Sequence, residues 1–239
     1  MKRVLITGGS RGIGRELVKK FSREGYAVAF TYKASRDAAN ELAAEFGAYA
    51  IKADSELPEE IERAVALALE HLGGIDILIN NAGISSFSLL QELSVEEWQR
   101  TLAVNLTAPF IYSKAVIPGM VSEKWGRIIN ISSIWGLVGS SCEAHYSASK
   151  AGLIGLTKAL SKELGPSGIT VNAIAPGVIN TEMNKSLGED TVRELCDETP
   201  LMRCGECEDV AEAALFLASE RASFITGDVL NVSGGFVIT

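Results

Sequence analysis

The sequence predicts an α/β chain, a three-layer αβα sandwich around a mainly parallel seven-stranded sheet. Three observations predict it. Short apolar runs alternate with amphipathic stretches of helical length. The runs are apolar throughout rather than at every second residue, as when both faces of a sheet are covered. A glycine-rich turn joins the first run to the first helix.

Val4, Leu5 and Ile6 form the first strand. Residues 15–24 follow as a helix, with Leu17, Val18 and Phe21 on one face and Gly25 as its stop. Residues 26–31 are a second strand, 38–46 a helix closed by Gly47, and 48–52 a third strand. Residues 58–72 open on proline and acidic residues, as helix starts prefer, and end at Gly73 and Gly74. Residues 75–79 are the fourth strand, leading into Asn80-Asn81-Ala82-Gly83.

Ser94 followed by Glu96 and Glu97 marks a helix start. That helix runs past Asn105 towards Val121, with Pro109 and Pro118 expected to bend or interrupt it. Residues 127–131 are the fifth strand, 146–164 a helix, 169–174 the sixth strand, 209–218 a helix and 228–232 the last strand. Residues 178–203 are polar and show no period. No linker, repeat or low-complexity segment interrupts the pattern, so residues 1–239 read as a single domain.

Composition excludes several classes of function. No run reaches the roughly 18 uncharged apolar residues of a membrane span. The start is too short in its apolar part and too glycine-rich for a signal peptide, which predicts a soluble cytoplasmic protein with no membrane partner. A net charge of −8 argues against nucleic-acid binding. Four cysteines in 239 residues are not a disulfide framework. Cys204 and Cys207 form a C-x-x-C with only Cys196 nearby, and His71 and His145 are scattered, so no metal centre is expected.

The residues that carry chemistry begin at Gly8-x-x-x-Gly12-x-Gly14, between strand and helix. Glycines let a pyrophosphate approach the backbone, and the helix start supplies unpaired N–H groups. The second strand ends in Thr31-Tyr32-Lys33, without the carboxylate that accepts the ribose hydroxyls of NAD. Arg11 and Lys33 instead offer charge for a 2′-phosphate, which predicts NADP(H). Further on, Tyr146 and Lys150 are four apart on a helix and share a face. A nearby ammonium favours the phenolate, so the Tyr146 hydroxyl is expected to be more acidic than a free phenol. Ser133, at the end of the fifth strand, can steady a developing alkoxide.

Taken together, these motifs resemble the short-chain dehydrogenases/reductases along nearly the whole chain. The matching positions are Thr7, Gly8, Gly12 and Gly14; Asp54; Asn80-Asn81-Ala82-Gly83; Asn105; Ser133; Tyr146 and Lys150; and Pro176-Gly177. The resemblance implies a Rossmann-type fold, an NADP(H) site and hydride transfer between a ketone and a secondary alcohol. In that scheme Ser10 and Ile13 belong to the glycine loop, Tyr32 flanks Lys33, and Asp54 hydrogen-bonds the adenine amine. Asn81, Ala82 and Gly83 line the adenine ribose. Tyr146 is the general acid, Ser133 binds the substrate oxygen, and Lys150 holds the nicotinamide ribose. Asn105 keeps a water that links Lys150 to solvent, and Ile179 and Thr181 meet the carboxamide.

Within the family the nearest pattern is that of bacterial 3-oxoacyl-ACP reductases, which implies an acyl carrier protein as partner. Lys124 keeps one docking charge of those enzymes, and Ser167 has lost another. The segment Ser141-Cys142-Glu143 is instead similar to the elongation factor P 5-aminopentanone reductases, in which case Glu143 would pair with a substrate amine. Some proteins of this fold are catalytically silent sensors or scaffolds, but they usually lack the tyrosine or lysine kept here. Met183, Leu187, Leu195 and Met202 are expected in a substrate lid. The family also implies a homotetramer, with Phe110, Ile111, Val116, Leu153, Leu156, Leu160 and the tail from Phe236 to Thr239 as candidate contacts.

Overall fold

The computed structural model describes residues 1–182 and 188–238. The chain alternates β1 (Arg3–Ile6), α1 (Gly12–Arg23), β2 (Ala27–Tyr32), α2 (Arg36–Phe46), β3 (Tyr49–Lys52), α3 (Pro58–Leu72) and β4 (Ile77–Asn80). It continues through α4 (Val95–Leu102), a π-type turn (Ala103–Thr107), α5 (Ala108–Glu123), β5 (Gly126–Ile131), α6 (Trp135–Val138), α7 (Ala144–Leu164) and β6 (Ile169–Pro176). It closes with α8 (Glu189–Glu198), α9 (Cys207–Ala218) and β7 (Val229–Val232). The seven strands form one sheet in the order β3-β2-β1-β4-β5-β6-β7, with every pairing parallel. The predicted fold class is the observed one.

Alternation along each strand feeds two cores. In β4, Ile77 and Ile79 face one side and Leu78 the other. The first core gathers Leu17, Val18 and Phe21 of α1 with Leu42 of α2 and Val210, Ala214 and Leu217 of α9. The second takes Ile61 and Val65 of α3 with Tyr112, Val116 and Met120 of α5. Phe21 is fully buried, and truncating such a ring to alanine costs about 3–5 kcal/mol.

Local chemistry sets the element ends. Pro58 opens α3 with Glu59 and Glu60 in its first turn, and Gly73 closes it in the left-handed region. The Ser94 hydroxyl accepts the Glu97 N–H and caps α4. The long helix expected from Ser94 to Val121 breaks at the π-type turn, not at its prolines. Pro109 falls in the first turn of α5, where its missing N–H costs nothing, and Pro118 stays inside the helix.

Three further expectations are corrected. The stretch 178–203 contains α8, whose apolar face is only Val192, Leu195 and Cys196, too few to show a period. α9 begins at Cys207 because Glu206 and Asp209 form a reciprocal capping box. Cys196 and Cys204 are joined by a disulfide, while Cys142 and Cys207 are free thiols. Among the described residues, no helix is long and apolar enough to cross a membrane.

Candidate active site

Strand order reverses between β1 and β4, and ligands of parallel sheets bind at the carboxyl ends beside such a reversal. Thr7 fastens the two strand ends together. Its hydroxyl accepts the N–H groups of Asn81 at 3.0 Å and Ala82 at 2.9 Å. The Asn81 amide donates back to the carbonyls of Thr7 at 2.9 Å and Gly8 at 3.1 Å. A Cβ on Gly14 would lie 2.1 Å from the Gly8 carbonyl oxygen, so α1 packs onto the turn only with glycine there. Unlike α4 and α9, α1 has no capping side chain, and unlike α3, α4 and α9 it has no acid in its first turn. Its first N–H groups are left for an anion.

A cleft of about 850 Å³ opens from this point. It is lined by the residues expected at the cofactor and by three of the four expected catalytic ones: the glycine loop with Ser10, Arg11 and Ile13; Tyr32, Lys33 and Asp54; Asn81, Ala82 and Gly83; Ser133, Tyr146 and Lys150; and Pro176, Gly177, Ile179 and Thr181. Asn105 does not line it and is fully buried.

Lys150 Nζ lies 5.5 Å from the centre of the Tyr146 ring and donates to the Ile131 carbonyl at 2.8 Å. Tyr146 departs from the expected acidification. Burial pushes its phenol up to about 12, the Glu143 charge adds to the rise, and a hydrogen bond with Ser133 works the other way. Burial also pushes the Lys150 ammonium down to about 8. Desolvation outweighs the attraction expected between these two groups. At neutral pH the tyrosine is a firm proton holder beside a lysine close to releasing its own.

Asn105 sits in the π-type turn between α4 and α5. Its Oδ1 accepts the Ile84 N–H and its Nδ2 donates to the Ile84 carbonyl, each at 2.9 Å. Nδ2 also reaches Ser149 Oγ at 3.1 Å. Both amide hydrogens are therefore committed. A Cβ on Gly83 would lie 3.4 Å from both Asn105 Oδ1 and Lys150 Nζ, so this glycine separates the two side chains. The Ile84 partnership has no signal in the sequence beyond following the Asn-Asn-Ala-Gly stretch.

Glu143 is 5% exposed, not a solvated loop carboxylate. Ser85 Oγ donates to its Oε1 at 2.5 Å, and both residues line the cleft. At the other end Lys33 Nζ is 2.7 Å from Asp54 and 3.6 Å from Glu56, and Arg11 is 3.8 Å from Glu182. Burial works to raise the Asp54 carboxyl, but the Lys33 and Glu56 hydrogen bonds and nearby positive charge hold it below its ordinary value.

Of the lid candidates, Leu195 lines the cleft, Met202 is exposed, and Met183 and Leu187 lie outside the described residues. Lys124 caps the end of α5 just before β5, and Ser167 precedes β6. Both stand at the opposite end of the sheet from Ser133. Among the assembly candidates, Val116 and Leu153 are buried within the chain, whereas Phe110 is 48% exposed.

The family described as enoyl-(acyl carrier protein) reductase matches residues 8–237. The chain belongs to the short-chain dehydrogenase/reductase family. It is 40% identical to the 3-oxoacyl-(acyl-carrier-protein) reductase FabG of Staphylococcus epidermidis, covering 98% of both chains. It is 42% identical to the FabG of Aquifex aeolicus, covering 97% of this chain and 95% of that one. A solved structure of a Serratia marcescens short-chain dehydrogenase/reductase, a double mutant, superposes with a TM-score of 0.92 at 40% identity, covering 98% of this chain and 97% of that one. Members of this family are oxidoreductases that use a nicotinamide dinucleotide, and the uncapped start of α1 beside the glycine turn fits its pyrophosphate.

Proposed function

We propose that this short-chain dehydrogenase/reductase reduces a ketone to a secondary alcohol with NADPH, acting on 3-oxoacyl thioesters carried by an acyl carrier protein. The observation that carries the reading is the convergence of Ser133, Tyr146 and Lys150 in the cleft beside the open start of α1. The FabG relatives support the substrate class.

A bound NADPH supplies hydride to the carbonyl carbon. The α1 N–H groups and the glycine loop would hold the pyrophosphate, and Arg11 and Lys33, the latter now paired with Asp54, would supply charge for the 2′-phosphate. Ile179 and Thr181 orient the carboxamide. The Ser133 hydroxyl polarises the ketone oxygen, and Tyr146, held protonated by burial, gives that oxygen its proton. Lys150 stands next in the proton path, with the segment around Asn105 leading outward.

One observation favours a second substrate. The carboxylate of Glu143 is buried in the cleft wall, among the described residues has no cation partner, and so suits a substrate ammonium. That supports an aminopentanone group on elongation factor P in place of the neutral thioester. A cytoplasmic homotetramer with exposed Phe110 at a contact completes the reading.

The deciding experiment is a panel with NADPH and NADH: 3-oxoacyl thioesters, an aminopentanone-modified peptide, steroids and sugars. A preference for thioesters with NADPH supports the first reading, and a preference for the peptide supports the second. No NADPH oxidation with any ketone would leave a silent dinucleotide-binding scaffold.

A further inference from the structure

We propose that Cys196 and Cys204 form a reversible thiol–disulfide site that sets how tightly substrate is held in the cleft. The inference rests on the cleft being the reductase site.

The bridge joins two walls of that cleft. Cys196 lies in α8 next to Leu195, which lines the cleft. Cys204 precedes Gly205, whose backbone is paired with the segment after β6. Asn180 N–H donates to the Gly205 carbonyl at 2.8 Å, and Gly205 N–H to the Val178 carbonyl at 2.9 Å. Ile179 and Thr181 of that segment line the cleft. One covalent bond thus couples the Leu195 wall to the wall that meets the cofactor.

Among the described residues, little else fastens α8. None of its described side chains is buried, and it contributes to neither core. Segments of this kind lie at the low end of local stability, so a single crosslink carries a large share of their order. The sulfurs are also reachable. Both cysteines line a second, surface pocket beside Arg203 and Glu206, and neither is buried. Cys207 stays outside the exchange: its Sγ reaches the Asn180 carbonyl at 3.6 Å, and burial pushes its thiol up, which lowers its thiolate fraction.

The exchange balances with a dithiol as co-reactant. Two electrons and two protons pass from the dithiol, the Cys196–Cys204 bond breaks, both cysteines end as thiols, and the dithiol ends as a disulfide. A low-molecular-weight disulfide such as glutathione disulfide reverses it.

The test uses the full chain with NADPH and acetoacetyl-CoA as probe. After glutathione disulfide, the unfolded protein should titrate two thiols, those of Cys142 and Cys207, and after dithiothreitol all four cysteines. Reduction should raise KM roughly 3- to 10-fold with kcat little changed, and amide exchange in α8 should speed up. Cys196→Ser and Cys204→Ser should match reduced wild type and ignore dithiothreitol, whereas Cys207→Ser should respond as wild type does. A KM indifferent to reduction overturns the proposal, as do four titratable thiols after glutathione disulfide or unchanged α8 exchange. The thiol and exchange readouts need no substrate, so failure of the reductase reading is distinguishable from failure of this one.

Discussion

Asn105 grips the backbone of Ile84 at both of its polar groups, accepting from its N–H and donating to its carbonyl at 2.9 Å each. This clamp fixes the loop that leaves β4, and with it Gly83 beside Lys150 and Ser85 against Glu143. The π-type turn brings the amide to that loop. The residue expected to manage a water is therefore also the support of one cleft wall.

Asn105→Ala should loosen that wall. Leaving two part-buried backbone groups without their partners costs at most about 1–3 kcal/mol each. Thermal unfolding should shift down and kcat should fall more than KM rises. A variant as stable as wild type with unchanged kcat contradicts the clamp.

Lys150→Met separates stability from activity. The folded pKa of Lys150 lies below its ordinary 10.5, at about 8. The stability linked to that shift is therefore present above pH ~10.5 and lost as pH falls through ~8, amounting to about 3 kcal/mol. At pH 7 the ammonium is a burden, offset in part by its bond to the Ile131 carbonyl. The methionine variant should be inactive yet about as stable as wild type at pH 7, and less stable by about 3 kcal/mol near pH 10.5. Denaturant melts of both proteins at the two pH values give the difference. A gap that does not change with pH contradicts the depressed lysine.

The same pair sets the pH profile of turnover. Tyr146 stays protonated across the working range because its phenol is pushed up to about 12. Lys150 loses its proton as pH rises through about 8. Ketone reduction at saturating NADPH should be flat below that value and decline above it. A rate that climbs between pH 7 and 9 would mean the phenolate is the working form.

Gly14→Ala should abolish dinucleotide binding, since its Cβ would sit 2.1 Å from a backbone oxygen that cannot move without disturbing β1 and β4. Gly119→Ala meets no atom within 4 Å and is the matched control; it should gain about 0.5–1 kcal/mol of stability. Calorimetric titration with NADPH checks both variants. Normal affinity in Gly14→Ala contradicts the packing argument.

The sequence made legible what depends on local spacing. The glycine turn between strand and helix, the four-residue step from Tyr146 to Lys150, and the apolar strands all follow from short-range pattern. What it hid depends on contacts made across the fold. The Tyr146 shift runs opposite to expectation because burial outweighs the nearby ammonium, which is turned towards the Ile131 carbonyl. The Asn105 clamp needs a π-type turn that no residue type announces. Glu143 reads as a loop carboxylate until Ser85 is seen against it. The Cys196–Cys204 bridge needs α8, whose face was too polar to show a helix period.

The central claim is that Tyr146 delivers the proton that completes ketone reduction. The most direct measurement is kcat of Tyr146→Phe with NADPH and acetoacetyl-CoA, alongside NADPH affinity by fluorescence titration. The account predicts affinity within about threefold of wild type and kcat lower by roughly 10²- to 10⁴-fold, the share general acid catalysis supplies. Near-normal turnover in this variant would contradict it.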